Sequence, residues 1–492
     1  MLPESELGIP LNKDFVFAAL ESSSYELFPA PVKIEMEPST YIKRSVGSEI
    51  ARCIKEKQKN IICLQATAGA GKTTLVSHIQ DVLPDESVAV LYDCYGGGSF
   101  LQYGERRHLV EIAIPQICNT LATECGTEWI IGHLPRDYEY WRLLNERLAT
   151  AVSYVKKQNL SAIVAIIIDA ADNSMVAAKT FQEECFLEGL LSQQLPEDVW
   201  IIVTTRTERR DLIPFENEVE IIDVPPFELC ESSKHIRSVF ENATDAQCEQ
   251  FHVITDRNPR LQAYMLSNAK SVPEMLSQIR PTGKTMDSLF KEFIDVAQKQ
   301  YKSIVDFTTF FSALTQLPRP IPIDFLCELC SITNETLTSI SIECRRGFYI
   351  VDSFIFLKDE DFETYLRRHY EDNKEAIKKL ADYMHQGRKK DAYCARYVHI
   401  FLDKADCFNQ LISIALDEDI DAIVIGIAQL SEIKRQRIQC ALKRREMCIS
   451  ENYLMACKLV YRLIDVNANG NILRFVSSTR WHFSYFLYEF SF

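Results

Sequence analysis

Residues 61–74, IICLQATAGAGKTT, are the stretch from which the fold can be predicted. The strand-like run IICLQ ends in a turn of small residues, and this turn opens a helical stretch, TLVSHIQDVL. Such a turn can bind phosphate, because its small residues let backbone N–H groups approach the phosphate oxygens. The lysine can bind the phosphate as well, and the hydroxyl can bind Mg²⁺. Alanine replaces the first glycine of the usual pattern. We predict a phosphate-binding loop made of Ala66, Thr67, Ala68, Gly69, Ala70, Gly71, Lys72, Thr73 and Thr74.

Five apolar runs predict the domain around this loop. They span residues 61–66, 88–94, 162–170, 199–206 and 220–224, and helical patterns separate them. Continuous apolar runs of this length are typical of parallel strands that are buried on both faces. The sequence therefore predicts an α/β domain with a parallel sheet, in which AIVAIIID has the isoleucine and valine content of a central strand.

Two aspartates follow that predicted central strand, within IIIDAADN. Asp169 ends the strand, where it can hold Mg²⁺ together with Thr73, and we predict these two residues as metal ligands. Asp172 lies three residues further on, where it can orient or deprotonate the water that attacks a phosphate. The alternative is that both aspartates only end the strand and begin the next helix.

The run VWIIVTTRTERR places an arginine at the same predicted edge of the sheet. Ligands of open parallel sheets bind at the carboxyl ends of the strands, so we expect Arg206 to contact a γ-phosphate. Lys72, Asp172 and Arg206 form the predicted catalytic set. Arg209 and Arg210 are interpreted as solvated charges.

The composition excludes several other classes of protein. The 69 acidic residues outnumber the 54 basic ones, and the resulting net charge of −15 argues against a surface coated with positive charge for nucleic acid. The 16 cysteines lack the spacing of a disulfide framework, and the start, MLPESELGIP, lacks the features of a leader. The longest strongly apolar run, residues 162–168, is far shorter than the roughly 20 residues of a membrane helix. We expect a cytoplasmic protein without membrane contact.

Shifts in these patterns predict the domain boundaries. The region after the sheet has helical periods and no strand pattern, and the next region combines helices with a predicted hairpin, FYIV and FIFL, as in a winged helix. The last region is helical and ends in WHFSYFLYEFSF, which holds seven aromatic residues; we expect a chain cut within a domain there, the alternative being an interface. The predicted domains are 1–45 (lead segment), 46–227 (α/β domain), 228–302 (helical lid), 303–370 (winged-helix-like) and 371–492 (stacked helices, incomplete).

Three weaker signals have competing interpretations. The glycines within residues 93–99 either approach a nucleotide or a neighbouring subunit, or they form a flexible loop. Arg106, Arg107 and His108 either reach another subunit's phosphate or are surface charge, which is the interpretation we prefer. Cys327 and Cys330 form a C-x-x-C pattern, but a structural zinc site needs four ligands, so we expect buried helix cysteines.

The order of the motifs resembles that of the STAND NTPases, the signal-transducing ATPases that include NACHT and NB-ARC proteins. ATAGAGKTT resembles their Walker A motif, IIIDAADN their Walker B motif and TTR their sensor arginine. The Asp169–Asp172 spacing is similar to the NACHT version, which usually continues with glutamate where this chain has Asn173. The lid motif of the class is Gly-x-Pro; its proline, Pro259 here, packs near the adenine. Asp359 stands where a histidine of the class commonly contacts ADP.

This resemblance implies a P-loop NTPase domain of the ASCE type that binds ATP or ADP with Mg²⁺ and hydrolyses ATP slowly, as a switch. A trigger, either protein or nucleic acid, would be sensed by the C-terminal helices, which would resemble tetratricopeptide (TPR) repeats. The protein would then form a homo-oligomer and activate an effector that is absent from this chain or lies in a partner chain. Relatives of this kind act in antiphage defence and innate immunity. Two alternatives stay open: a constitutive AAA+ motor, and a scaffold that binds nucleotide without hydrolysing it.

Overall fold

The structure is a computed structural model in which the chain forms two compact units. The first comprises Met1–Ala297, Ser339–Val351 and Phe356–Glu363, and the second comprises Gln298–Thr338, Asp352–Ile355 and Thr364–Phe492. The structure describes residues 27–34, 41–56, 59–101, 105–130, 134, 136–215, 219–267, 269–277, 286–344, 347–351, 353–357, 360–416, 420, 427–444 and 453–468.

A five-stranded parallel sheet organises the first unit, as the apolar runs predict. Its strands, in the order β2-β3-β4-β1-β5, differ from the predicted bounds by at most two residues. Ala66 pairs with Arg206, and Asp93 pairs with Asp169, so the polar strand ends lie along one edge. The strands are β1 (Ile61–Ala66), β2 (Val88–Asp93), β3 (Val164–Asp169), β4 (Val199–Arg206) and β5 (Glu220–Asp223).

Helices cover both faces of this sheet, so β1, β3 and β4 are buried and apolar without alternation, whereas the edge strand β5 leaves Ile221 exposed. Along β3, Ile166 and Ile168 pack into one core with Leu144, whereas Ala165 and Ile167 pack into a second core with Leu75. The helices of this region are α1 (Val46–Glu56), α2 (Lys72–Ser77), α3 (Val110–Cys125), α4 (Asp137–Gln158), α5 (Ala171–Phe181) and α6 (Phe186–Ser192).

The segment after β5 is helical, and the described residues between 228 and 302 contain no strand, as predicted. The helices are α7 (Leu229–Val239), α8 (Asp245–Ile254), α9 (Pro259–Leu266), α10 (Val272–Ser277) and α11 (Met286–Tyr301). Ile236, Phe251, Leu266 and Met275 share a small apolar core of their own. Asn258 begins α9, because its side chain accepts the backbone N–H of Leu261.

The predicted mixed region contains the expected helices and strands. They are α12 (Phe307–Gln316), β6 (Ile321–Pro322), α13 (Ile323–Cys330), α14 (Asn334–Glu343), β7 (Phe348–Val351), β8 (Phe354–Leu357) and α15 (Glu360–Tyr370). Within the second unit, β6 pairs antiparallel with β8 through Ile321 and Ile355. Cys327 and Cys330 are both buried in α13, as predicted.

Consecutive helices form the rest of the second unit. They are α16 (Lys374–Gly387), α17 (Ala392–Lys404), α18 (Phe408–Leu416), α19 (Ile427–Lys443) and α20 (Tyr453–Ala468), and each packs on the next. Three small residues of this region, Ala381, Ala392 and Ala395, are expected at packing positions; Ala381 and Ala395 are fully buried, whereas Ala392, the first residue of α17, is exposed, so that expectation is wrong for Ala392. The terminal aromatic stretch lies outside the described residues. None of the helices in the described part of the chain has the length and apolar character needed to span a membrane.

Candidate functional site

The predicted phosphate loop connects β1 to α2, and two of its glycines have left-handed backbone conformations. Gly69 has a φ of 76° and Gly71 a φ of 88°, in the region that glycine adopts without a steric penalty. A side chain at Gly69 would also lie 2.9 Å from the Asn258 Oδ1 atom. Ala66, which replaces the usual first glycine, is the last residue of β1 and therefore has an extended backbone that alanine readily adopts.

Lys72 is the first residue of α2, and its ammonium group lies over the loop. Nζ donates to the carbonyl oxygen of Ala66 at 2.8 Å and to that of Thr67 at 3.3 Å. Burial lowers the pKa of Lys72, whereas the nearby carboxylates of Asp172 and Asp169 favour its charged form. The predicted cation is thus placed between the loop and the two predicted acids.

The two predicted metal ligands are in direct contact. Thr73 Oγ1 donates to Asp169 Oδ2 at 2.9 Å, and Thr204 Oγ1 donates to Asp169 Oδ1 at 2.6 Å. Burial raises the pKa of Asp169 to about 6, although these two hydroxyl groups favour its ionised form. A hydroxyl and one carboxylate fit Mg²⁺, which usually takes only one or two protein carboxylates and completes its shell with water and phosphate oxygens.

The turn after β3 places Asp172. Ala170 has a left-handed φ of 52°, which is unusual for a residue other than glycine, and its N–H donates to Thr204 Oγ1 at 2.8 Å. Asp172 then lies in the first turn of α5, where the residue is 1% exposed. The structure therefore brings Asp172 to the same edge of the sheet as Asp169.

Arg209 is not a solvated charge, and that prediction is wrong. Its Nη1 atom lies 3.2 Å from Asp172 Oδ2, 3.2 Å from Asn173 Oδ1 and 3.1 Å from Glu360 Oε1. A 3₁₀ turn, Thr207–Leu212, follows β4 and carries Arg209 to these acids. Sequence patterns give no signal for this contact, because Glu360 lies 151 residues away along the chain.

Arg206 lies at the predicted edge and is also paired with carboxylates. Its Nη2 atom lies 2.8 Å from Glu360 Oε2 and 3.1 Å from Asp361 Oδ1. These opposite charges raise the pKa of Arg206 even though burial acts in the other direction. Arg260, from the start of α9, donates to Asp361 Oδ2 as well.

The start of α9 contacts the phosphate loop directly. Asn258 Nδ2 donates to the Ala68 carbonyl at 3.3 Å, and the backbone N–H of Arg260 donates to the Gly69 carbonyl at 3.2 Å. A Cβ atom added at Gly71 would lie 3.9 Å from the ring of Pro259. Pro259 is therefore beside the loop; its predicted contact with adenine stays a prediction.

Arg44 is a residue of this site that the sequence analysis missed. It is 6% exposed, and its Nη1 atom donates to the Ala70 carbonyl at 2.7 Å. The same guanidinium donates to the Pro225 carbonyl and lies 3.4 Å from Glu231 Oε1. Arg44 thereby ties the loop to the segment after β5. Arg44 precedes the first apolar run in the sequence, and only the three-dimensional structure shows which groups it contacts.

The glycines of residues 93–99 accommodate a buried arginine. Arg107, expected to be surface charge, is 1% exposed and donates to the carbonyls of Asp93 at 2.7 Å and Pro31 at 2.9 Å. A Cβ atom added at Gly96 would lie 2.2 Å from Arg107 Nε. Surface charge is therefore the wrong interpretation of Arg107.

The neighbouring residues Arg106 and His108 contact Glu183, and His108 is fully buried, so surface charge is the wrong interpretation of His108 as well. Arg106 Nη1 and His108 Nε2 both contact the Glu183 carboxylate, the latter at 2.9 Å. Burial lowers the pKa of His108 to about 4. Asp359, singled out by the resemblance, lies outside the described residues, and the described part of the chain contains no cluster of three or more metal-binding side chains.

The profile of the family described as Nephrocystin 3, N-terminal, matches residues 47–206. No curated protein matches the sequence. Among solved structures, the chain is similar to a Walker-type ATPase of Pyrococcus abyssi, with 14% identity, a TM-score of 0.38, and coverage of 69% of this chain and 99% of that protein.

Two further solved structures are similar over different lengths. A STAND protein with a tetratricopeptide repeat sensor from Pyrococcus horikoshii matches at 14% identity and a TM-score of 0.46, over 89% of this chain and 60% of that protein. A RuvB variant of Thermotoga maritima matches at 12% identity and a TM-score of 0.27, over 66% of this chain and 95% of that protein.

Proposed function

We propose that the protein binds ATP and ADP with Mg²⁺ and hydrolyses ATP slowly. The observation that carries this proposal is the contact of Thr73 with Asp169 at 2.9 Å, next to a lysine that lies on a glycine loop. These residue types in this arrangement are those that a nucleoside triphosphate and its metal require.

Each residue of the site would have a distinct part in the reaction. Thr73 and Asp169 would hold Mg²⁺, which neutralises charge on the phosphates when it is bound. Lys72 would contact the β- and γ-phosphates, and Arg206 the γ-phosphate. Asp172 would orient the attacking water and accept its proton. Its contact with Arg209 supports slow turnover, because a carboxylate oxygen engaged by a guanidinium is less available to orient the water.

The order of the motifs, which resembles that of the STAND class, supports a signalling switch. The interposed strand β4, between β1 and β3, supports the ASCE type. In this proposal residues 228–302 are the lid, residues 303–370 a winged helix, and residues 371–492 sense a protein or nucleic-acid trigger. The trigger would cause homo-oligomerisation and activate an effector in another chain or segment, in antiviral or innate defence.

The free cysteines support a reducing location such as the cytoplasm. All the cysteines that the structure describes are unpaired thiols, and disulfides are rare in that compartment.

The first experiment is nucleotide binding by wild-type protein and by Lys72→Ala. We expect Lys72→Ala to weaken ADP and ATP binding by roughly 100-fold, because a charge-assisted contact with phosphate is lost. Lys59→Ala is the matched control, since Lys59 lies at the opposite end of β1 and contacts Glu220 at 3.3 Å. Equal affinity of the Lys72 variant and the wild type would remove the phosphate assignment.

A second experiment separates the switch from its alternatives. Mass photometry with ADP, with ATP, and with ATP plus a lysate of phage-infected cells is combined with phosphate release. We expect slow release and an oligomer only after the trigger is added. Rapid release and rings in ATP alone would favour the AAA+ motor. Binding without any release would favour the scaffold, for which Asn173 in place of glutamate is the supporting observation.

A further inference from the structure

Three arginines beside the phosphate loop are engaged by one pair of carboxylates. Arg206 contacts both Glu360 and Asp361, at 2.8 and 3.1 Å. Arg209 contacts Glu360 at 3.1 Å, and Arg260 donates to Asp361. Both acids lie in the first turn of α15, within the first unit. We refer to Glu360 and Asp361 as the acidic pair.

Two of these arginines, Arg206 and Arg260, lie near Lys72. Arg206 and Arg260 are close enough to its ammonium group to disfavour the charged form, which adds to the larger effect of burial on the pKa of Lys72. Arg206 is in register with Ala66 at the start of the loop, and the Arg260 backbone donates to Gly69 within it. A phosphate chain that begins at the loop and passes Lys72 therefore extends toward these guanidinium groups.

We propose that the acidic pair is an internal substitute for the γ-phosphate, and that ATP binding must displace it from the arginines while ADP binding need not. Carboxylate and phosphate both bind arginine through anionic oxygens that accept its N–H groups, so a guanidinium donor that the acidic pair engages is withdrawn from the γ-phosphate. This inference rests on the proposed function. It adds the means by which the same site distinguishes ATP from ADP.

The ion pairs between the arginines and the acidic pair are largely shielded from solvent. The side chains of Glu360 and Asp361 are 16% and 19% exposed, and that of Arg206 is 16% exposed. Solvent screens such pairs less than it screens pairs on an open surface. Only molecules in which the arginines have left the acidic pair can bind the γ-phosphate through them. The apparent affinity for ATP is therefore lowered in proportion to the fraction of such molecules.

Arg209 links this competition to hydrolysis. Its Nη1 atom contacts the Asp172 carboxylate as well as Glu360. When the acidic pair leaves, Arg209 keeps Asp172 and gains a free donor for phosphate. Because coupling is reciprocal, bound ATP weakens the attachment of the first turn of α15 by the same factor by which the acidic pair weakens ATP binding.

The test uses the full chain with the double substitution Glu360→Gln and Asp361→Asn. ADP and a non-hydrolysable ATP analogue are each titrated with Mg²⁺ by isothermal calorimetry. We expect the affinity for the analogue to rise by about tenfold, and that for ADP to change by less than about twofold, because only the γ-phosphate competes with the acidic pair.

Glu363→Gln is the matched control. Glu363 lies in the same turn of α15 and is buried, but its Oε2 atom accepts from Tyr95 Oη at 3.1 Å. We expect this variant to bind both nucleotides as the wild type does. A similar rise in affinity for the analogue in this control would show that removing any negative charge from the start of α15 has the same effect. That result would overturn the proposal.

Other outcomes are equally decisive. An unchanged ratio of analogue affinity to ADP affinity in the double variant overturns the inference even if the wild type binds both nucleotides. Binding of neither nucleotide by the wild type overturns the proposed function instead. If the double variant does not fold, as judged by circular dichroism, the single variants Glu360→Gln and Asp361→Asn are titrated, and an unchanged ratio in both has the same consequence.

Discussion

In the proposed function Asp169 would have to be charged to hold Mg²⁺, yet it is 2% exposed. Burial raises its pKa to about 6 from an ordinary value of 3.8. Each pKa unit corresponds to about 1.4 kcal/mol. Since the folded pKa is the higher one, the folded state loses stability as pH rises from about 4 to 6, and the full penalty of roughly 2–3 kcal/mol persists above pH 6. The charged Asp169 carboxylate therefore lowers the free energy of unfolding.

We expect Asp169→Asn to stabilise the protein when neither metal nor nucleotide is present. The predicted gain in the free energy of unfolding is about 2 kcal/mol at pH 8 and about half of that at pH 5, because Asp169 is then already largely protonated in the folded state. Denaturant titrations at both pH values measure it. Asp211→Asn is the control, since the Asp211 side chain is 91% exposed. A less stable Asn variant at pH 8 would contradict this account.

The same variant should lose function while it gains stability. An amide is a poor ligand for Mg²⁺, so we expect Mg²⁺ to give no increase in nucleotide affinity in Asp169→Asn. In the wild type, the increase given by Mg²⁺ should fall as the pH is lowered through about 6, where Asp169 becomes protonated. Calorimetry with and without Mg²⁺ between pH 5 and 8 checks both statements.

Asp172 should affect the chemical step without affecting binding. We expect Asp172→Asn to bind ATP with wild-type affinity and to release phosphate at least about 100-fold more slowly, because an amide does not accept the proton of the attacking water. Phosphate release under single-turnover conditions measures this. Glu208→Gln, an exposed acid in the adjoining 3₁₀ turn, is the control. An unchanged rate would remove Asp172 from the mechanism.

Among the elements, the glycine run of the 3₁₀ segment Gly96–Leu101 makes room for a buried arginine side chain. Gly96, Gly97 and Gly98 have φ values of 58°, 62° and 87°. This backbone leaves room for the Arg107 guanidinium, whose Nε atom donates to Glu105 Oε2 at 3.0 Å. The segment thus leaves space for a buried charge, which its ion pair with Glu105 and its hydrogen bonds to the carbonyls of Asp93 and Pro31 stabilise.

Gly96→Ala and Gly126→Ala form a matched pair that tests this account. Gly126 also has a left-handed φ, of 66°, but a Cβ atom there would have no heavy atom within 4 Å. We expect Gly126→Ala to cost about 1 kcal/mol from backbone conformation alone, and Gly96→Ala to cost about 3 kcal/mol or more, because Arg107 has to shift. Chemical denaturation measures both. Equal losses of stability in the two variants would show that the Arg107 side chain does not occupy the space next to Gly96.

At the scale of the whole chain, the site is assembled from segments that are far apart in the sequence. The loop of residues 66–73 meets the end of β3, the end of β4, the start of α9 and Arg44. We therefore expect ADP with Mg²⁺ to slow amide hydrogen exchange in all of these segments, because a bound ligand suppresses local opening.

The comparison segment for this exchange experiment is α16 with α17, which belong to the second unit. Their amides should exchange at the same rate with and without ADP. Protection confined to residues 66–74 would mean that the other segments are not part of the nucleotide site.

The strands and the phosphate loop could be predicted because their signals are local. Apolar runs of five to nine residues predict the strands of a covered parallel sheet, and the pair Gly69 and Gly71 predicts left-handed backbone at those two positions. The contact of Thr73 with Asp169 could be anticipated as well, since the carboxyl end of a neighbouring parallel strand is close to the loop by topology alone. The winged-helix assignment of residues 303–370 and the sensor role of residues 371–492 remain proposals.

Charge pairing, by contrast, could not be predicted from the sequence. Arg44, Arg107 and Arg209 look like any solvated arginine in a sequence, because the chain of an arginine suits a surface as well as a buried ion pair. Their pairing depends on which acids and carbonyls the folded chain brings within about 3.4 Å, and those partners lie up to 187 residues away. Apolar periodicity follows from the local chain, whereas the partner of a charge is set by the packing of whole elements.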